Sequence, residues 1–221
     1  TARTDVPSTP AISSPTAPMM TDTLSLRSTR SALVDRLRSD DASAALQALG
    51  VVGFALLTAL AAESSVRLYL WEVPITLQTA AVYGSGLYLG WRNGMLAQGL
   101  YLLLGMFLPV FAGDGSGPSY LLGLMSAGYL LSYPLAAAAI GYLSERWNSL
   151  SGSMVSMLAG ATVLFSVGVV WLHFAAGHET WMQSLDKGFL RFVLIDAAKI
   201  LCVGLLYTGT RSFFTTETDD E

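Results

Sequence analysis

Charge is the scarcest property of this 221-residue chain. Only 13% of its residues are charged, whereas 52% are hydrophobic and the mean hydropathy is +0.51. Soluble domains carry about 25% charged residues, so a deficit of this size indicates a membrane protein. The net charge of −4 says little about partners, because five of the sixteen acidic residues lie in the first 41 positions and four in the last five.

Several groups that would signal other functions are also missing. The one cysteine, Cys202, excludes an internal disulfide, and the few scattered basic residues make nucleic acid an improbable partner. Neither lysine follows a glycine, so the chain has no P-loop for ATP, and it has no HExxH motif. His173 and His178 lack nearby partners, so neither a metal site nor a cofactor is predicted. GDGSG (113–117) lacks a histidine base and indicates a glycine-rich turn. We therefore expect a binder or permease rather than an enzyme.

Three regions follow from the distribution of apolar residues. Residues 1–43 begin with a segment rich in Pro, Ser and Thr that predicts a disordered tail, in which SALVDRLRS (31–39) is compatible with a short interfacial helix. Residues 44–211 form a membrane domain, and residues 212–221 form an acidic tail. The predicted fold class is all-α: a polytopic membrane protein with six transmembrane helices. Their approximate spans are 45–63, 76–91, 94–112, 119–143, 152–176 and 188–210.

The positive charges predict the orientation of the spans. An even number of spans places both termini on one side, which then holds most of the arginines near span ends. By the positive-inside rule that side is the cytoplasm. We therefore predict a multi-pass protein of the cell membrane with both termini cytoplasmic.

Two charges lie inside the last span, in RFVLIDAAKILCVGLL. Asp196 and Lys199 are three apart and so share a helix face. A charge in the apolar core costs roughly 3 kcal/mol, which the pair can partly offset by neutralising itself. A structural ion pair is one interpretation, and a binding site for a polar solute from outside is the other.

A combination of segments resembles the BioY family, the biotin-binding S components of energy-coupling factor (ECF) transporters. These segments are VPITLQT (73–79), YLLLG (101–105), LPVFAG (108–113), GYLLSYPLAAAAIGYL (128–143), GVVWL (168–172) and DAAK (196–199). The resemblance covers about 45–210 and implies a six-helix bundle that captures biotin from outside. It also implies uptake energised by a separate membrane T subunit and two ATPase subunits, which agrees with the missing P-loop.

The resemblance also implies site residues. The Asp-x-x-Lys of the last helix contacts biotin, which assigns Asp196 and Lys199. The first outer loop covers the ligand, which assigns Pro74, Thr76 and Gln78. Ser126 takes a hydroxyl position where many members read GPTGGYL and this chain reads LMSAGYL, and Tyr129 follows in that motif.

Other residues carry less specific assignments. Trp171 packs against either the bicyclic ring of biotin or the bundle. Residues 106–128 contain no Arg or Asn, which family members can use there as ligands; Asp114, Ser116, Ser119 and Tyr120 are the polar candidates in their place. The group that meets the biotin carboxylate therefore stays open.

The first span carries small residues at helical spacing. Ala55 and Ala59 lie four apart on one face, and in relatives of this family an alanine stripe on the first helix docks onto the T subunit. The alternative is that the stripe packs inside the bundle. Three other functions also stay open: an S component for another vitamin, a stand-alone proton-coupled permease, and a structural protein of a membrane complex.

Overall fold

The computed structural model describes residues 37–38, 42–63, 72–113, 115–147 and 149–216, with side chains described up to 211. Leu37 and Arg38 are helical and belong to the predicted interfacial helix. The rest of that segment, the predicted disordered tail before it, the acidic residues 217–221 and Asp114 lie outside the described residues.

The described residues form helices joined by short connections. The α-helices are α1 (Ala44–Glu63), α2 (Gln78–Gly105), α3 (Pro118–Gly123), α4 (Ala127–Ser144), α5 (Leu150–Ala175), α6 (Trp181–Leu185) and α7 (Val193–Thr216). A π-helical turn, Asp186–Leu190, lies between α6 and α7. The predicted fourth span begins as the short α3 and continues as α4, because residues 124–126 break the helix. The last helix runs to Thr216 and so extends into the segment predicted as an acidic tail from residue 212.

A single glycine turns α2 into a hairpin and separates the predicted second and third spans. Gly90 has φ 76° and ψ −176°, which lies outside the helical region and which glycine adopts without a steric penalty. The two arms, 78–89 and 91–105, fold back on one another: Gln98 Nε2 donates to Ser85 Oγ at 3.0 Å, and Gln78 Nε2 donates to Tyr101 Oη at 2.7 Å. The structure therefore has two antiparallel helical arms where two separate spans were predicted.

Near Gly90, neighbouring helices come close together because glycine has no side chain. A Cβ added to Gly86 would lie 2.7 Å from the carbonyl oxygen of Ala137, and one added to Gly141 would lie 2.2 Å from the backbone nitrogen of Trp91. Small residues permit such approach between membrane helices. The α2 hairpin and α4 therefore meet at the level of the backbone.

The alanine stripe of α1 faces inward. Ala55 is fully buried and Ala59 is 7% exposed, and on the same face Thr58 Oγ1 accepts a hydrogen bond from Gln98 Nε2 of α2 at 3.2 Å. In this conformation Ala55 and Ala59 therefore pack inside the bundle, which was the alternative interpretation. Their docking onto a T subunit stays a prediction.

The outside of the bundle is apolar. Leu49 and Leu60 on the outer face of α1 are each 69% exposed, and Leu194 of α7 is 84% exposed. Exposed apolar side chains on this scale indicate an apolar surrounding rather than water. By length and composition alone, α1 and α5 are long and apolar enough to cross a membrane.

The first and last helices meet the turn at Gly90. Near the start of α1, Gln47 Oε1 accepts from Asn93 Nδ2 at 3.5 Å, and near the end of α7, Thr210 Oγ1 bonds Tyr88 Oη at 3.0 Å. Thus α1 begins and α7 ends at the same end of the bundle, which we name the Gly90 end. The opposite end, where the site lies, is named the cavity end.

Candidate functional site

A cavity of about 550 Å³, including its mouth, lies at the cavity end. The segment before α2, the start of α4, the middle of α5 and the start of α7 surround it. Its polar lining residues are Thr76, Gln78, Thr79, Ser126, Tyr129, Tyr133, Asp196 and Lys199, and its apolar lining includes Pro74, Leu164, Phe165 and Phe192.

Asp196 presents one oxygen that the protein leaves unpaired. The residue is 4% exposed, and its Oδ2 accepts a hydrogen bond of 2.6 Å from the hydroxyl of Tyr83. Its Oδ1 is buried and accepts no hydrogen bond from the described residues. Buried carboxylate oxygens without a partner are costly, which makes Oδ1 a binding position for an N–H donor.

Lys199 is anchored separately from Asp196. Its ammonium donates to the backbone carbonyl of Thr76 at 2.7 Å and to Thr79 Oγ1 at 2.8 Å. Among the described side chains, no ion pair within 4 Å joins Lys199 to Asp196. The direct ion pair of the structural interpretation is therefore not formed among the described side chains, because each charge has its own partners on α2 or the segment before it.

The segment 72–77 forms a roof over the cavity, and its side chains are ordered by mutual hydrogen bonds. Thr76 Oγ1 donates to Gln78 Oε1 at 2.9 Å, and Gln78 Nε2 donates to Tyr101 Oη at 2.7 Å. Thr76 and Gln78 are 6% and 3% exposed and line the cavity. The structure therefore brings both predicted residues to the site, where the Gln78 side chain fixes the roof to the second arm of α2.

An ion pair holds Glu72, the first residue of the roof segment 72–77. Glu72 Oε1 accepts from the ammonium of Lys187 in the π-helical turn, and His178 Nε2 lies 3.8 Å from the same oxygen. The hydrogen bond from Lys187 lowers the pKa of Glu72 below its ordinary value. Glu72 is therefore ionised near neutral pH and holds the roof to the connection between α5 and α7.

Ser126 and Tyr129 lie at the cavity, and Trp171 does not. The Tyr129 hydroxyl donates to the carbonyl oxygen of Gly188 at 2.8 Å, so the ring rather than the hydroxyl is offered to a ligand. Trp171 Nε1 donates to the carbonyl oxygen of Leu124 at 3.1 Å, and its side chain lines an external groove. Of the two predicted roles for Trp171, the structure supports packing within the bundle.

The two histidines share one serine hydroxyl. His173 Nδ1 and His178 Nδ1 lie 2.9 Å and 3.0 Å from Ser184 Oγ. Across the described residues, no group of three or more His, Cys, Asp or Glu side chains is arranged to hold a metal ion. Their shared contact with Ser184 links the end of α5 to α6, close to the contact between Glu72 and Lys187.

Sequence reasoning missed Tyr83, Thr79 and Tyr133. Tyr83 lies 113 residues from its partner Asp196, so no local pattern connects the two. Tyr133 follows Tyr129 by four residues on α4 and so shares its helix face. That spacing was the signal that could have identified Tyr133 as a cavity residue.

The family of the chain follows from comparison with known proteins. A model of the BioY family matches residues 33–216, which include all the helices described above. The chain belongs to the BioY family. The resemblance predicted from VPITLQT and DAAK is thereby confirmed.

Relatives in this family are named transporters. The biotin transporter BioY of Thermotoga maritima is 37% identical over 138 residues, which are 62% of this chain and 80% of the relative. A probable biotin transporter BioY of Lysinibacillus sphaericus is 34% identical, with 69% of this chain and 80% of the relative covered. The prediction that this BioY family member is a transport protein and not an enzyme is confirmed.

The fold also matches a solved structure. A crystal structure at 2.1 Å of the S-component for biotin from an ECF-type ABC transporter superposes with a TM-score of 0.68, covering 75% of this chain and 90% of that one. The sequence identity is 22%, so the likeness establishes the fold. The prediction of an all-α, polytopic membrane protein is confirmed.

Proposed function

We propose that this BioY family member captures biotin in the cavity and is the substrate-binding S component of an ECF transporter. The observation that carries the proposal is Asp196 Oδ1, a buried carboxylate oxygen without a partner among the described residues, on a residue that lines the cavity. Biotin carries ureido N–H donors, which an ionised carboxylate can accept. Relatives at 37% and 34% identity bear the name biotin transporter or probable biotin transporter.

Lys199 supplies the positive charge of the proposed site. Among the described residues that line the cavity it is the only basic side chain, and two of its three N–H donors already bond Thr76 and Thr79. One donor therefore remains for the ligand. A ligand that is an anion at one end and a hydrogen-bond donor at the other matches this pair of charges.

We propose that the cavity end faces the outside of the cell. Arg38, Arg92, Arg146 and Arg211 lie near the Gly90 end, where α1 begins and α7 ends. The positive-inside rule assigns that end to the cytoplasm. Both termini are then cytoplasmic, and biotin enters from outside beneath the roof.

We further propose that uptake depends on a membrane T subunit and two ATPase subunits. The chain carries no P-loop, so it cannot itself cradle ATP in that manner. The solved structure with the same fold belongs to an ECF-type ABC transporter. Because Ala55 and Ala59 are buried against α2, docking through them requires α1 to move.

The experiment that tests the function is binding of labelled biotin to the purified full-length chain, with thiamine and riboflavin as competitors. We expect saturable binding that excess biotin abolishes and the other vitamins do not. Preferential competition by another vitamin would identify an S component for that vitamin, and no binding would favour a structural role. Uptake in cells that lack the T and ATPase subunits, driven by a proton gradient, would identify a stand-alone permease.

A further inference from the structure

Four tyrosines line the cavity or bond a residue that lines it, and three of them have hydrogen-bond acceptors in the described chain. The hydroxyl of Tyr83 donates to Asp196, that of Tyr101 donates to the carbonyl oxygen of Val110 at 3.3 Å, and that of Tyr129 donates to Gly188. Tyr133 lines the cavity and is 4% exposed. No described residue forms a hydrogen bond with its hydroxyl.

The Tyr133 ring is held in place although its hydroxyl is unpaired. It stacks on Tyr101 with the ring centroids 6.3 Å apart and an interplanar angle of 27°. Tyr101 is itself fixed by Gln78 of the roof, which donates to its hydroxyl. The Tyr133 hydroxyl is therefore presented to the cavity by a packed ring, with little rotamer freedom to lose when a ligand binds.

The cavity thus presents two polar groups to a ligand: the Tyr133 hydroxyl, which bonds no described residue, and the buried oxygen Asp196 Oδ1, which has no partner among them. One can donate and the other, as a carboxylate oxygen, accepts. A ligand that carries an N–H donor beside a C=O acceptor can bond both groups at once.

We propose that Tyr133 is a ligand-contacting residue whose hydroxyl donates to the ureido oxygen of biotin, while Asp196 Oδ1 accepts from a ureido N–H. This assignment rests on the proposed function, since it names the residue that reads the carbonyl of the ligand. It adds Tyr133 to the residues that the DAAK motif identifies. Tyr133 also distinguishes the ureido carbonyl from groups of similar shape that accept hydrogen bonds poorly.

The test compares Tyr133→Phe with Tyr88→Phe. Each change removes one hydroxyl and keeps the ring, but Tyr88 bonds Thr210 at the Gly90 end, away from the cavity. We expect Tyr133→Phe to raise the Kd for biotin about tenfold and Tyr88→Phe to change it less than twofold. Equal Kd values for Tyr133→Phe and wild type would overturn the assignment. Wild type that fails to bind biotin would instead overturn the proposed function.

A biotin analogue isolates the contact. In 2-thiobiotin a sulfur, which is a weak acceptor, replaces the ureido oxygen. We expect wild type to bind biotin at least tenfold more tightly than the analogue, and Tyr133→Phe to bind the two within about threefold of each other. An undiminished preference for biotin in Tyr133→Phe would show that another group reads the carbonyl. If Tyr133→Phe does not fold, Tyr133→Met, which also lacks a hydroxyl, is subjected to the same comparison with the same expected result.

Discussion

The two ends of the bundle use glycine in different ways. At the Gly90 end, glycines meet the backbone of the neighbouring segment: a Cβ on Gly141 would lie 2.2 Å from Trp91 N, and one on Gly86 would lie 2.7 Å from Ala137 O. At the cavity end, the nearest atoms to a Cβ on Gly168 belong to the ring of Tyr129, at 2.2 Å. Gly141 and Gly86 thus lie against the backbone of another segment, whereas Gly168 lies against an aromatic ring.

This difference explains why the cavity lies where it does. Helices that touch at the backbone leave no space between them, whereas helices separated by rings enclose the gaps that the rings do not fill. The same wider spacing between helices leaves room for polar side chains at the cavity end. Asp196 and Lys199 each reach a partner across the gap, on Tyr83 and Thr76, instead of reaching each other.

The largest effect is expected from a substitution that disrupts the close backbone contact at the Gly90 end. Gly141→Ala places a methyl group against Trp91 N, so we expect a destabilisation of about 3 kcal/mol and an apparent Tm lower by about 10 °C. Gly99→Ala is the matched control, because no atom lies within 4 Å of a Cβ there. Thermal unfolding in detergent measures both, and equal Tm values would contradict the backbone contact.

Removing a charge at the cavity end is expected to weaken ligand binding without unfolding the chain. Asp196→Asn and Lys199→Met should each raise the Kd for biotin at least tenfold, about 1.4 kcal/mol, since each removes a buried charge that faces the ligand. Asp186→Asn, which alters a surface carboxylate paired with Arg191, serves as the control and should leave the Kd unchanged. Wild-type affinity in both cavity variants, on monodisperse protein, would make the pair structural.

The roof gives a smaller and kinetic effect. Gln78→Ala removes the hydrogen bonds to Thr76 and Tyr101, so we expect the off-rate of biotin to rise roughly fivefold and the on-rate to change less. Stopped-flow mixing with labelled biotin separates the two rates. A slower on-rate with an unchanged off-rate would assign Gln78 to entry rather than to retention.

The smallest effect is expected at the charged contact of Glu72 with Lys187. Because this contact lowers the pKa of Glu72, the contact persists above the ordinary value of 4.5 and is lost as the pH falls through the lower value of the folded protein. We expect the wild-type off-rate to be constant between about pH 7 and pH 5 and to rise only below about pH 4.5. Glu72→Gln should raise the off-rate about twofold at pH 7 and abolish its rise in acid. A parallel rise in both proteins would assign the acid response to another group.

Much of the fold could be predicted from the sequence because apolar length alone determines which segments cross a bilayer. The predicted first span, 45–63, differs from α1 by one residue at its start. The turn between the second and third spans was harder to place, since Trp91, Arg92 and Asn93 are helical and Gly90 makes the turn. A glycine with positive φ leaves no hydropathy signal.

The site could be predicted only in part. Asp196 and Lys199 are identifiable because charge in an apolar helix is rare. Their hydrogen-bond partners Tyr83 and Thr79 could not be identified, because they belong to another helix. Contacts between residues more than 100 positions apart leave no local pattern in the sequence. The role of the alanine stripe of α1 could not be decided from the sequence, since small residues at helical spacing suit an internal and an external neighbour equally.

The hairpin of α2 has a consequence for how the chain enters the membrane. Its arms, 78–89 and 91–105, are about 18 Å and 22 Å long at 1.5 Å per residue, shorter than a hydrocarbon core of about 30 Å. Neither arm is then a stop-transfer signal by itself. We expect the insertion machinery to accept the two arms together, as one unit that becomes stable when Ser85 and Gln98 join. In a glycosylation-mapping assay, the first arm alone should be translocated, and the intact hairpin should be retained.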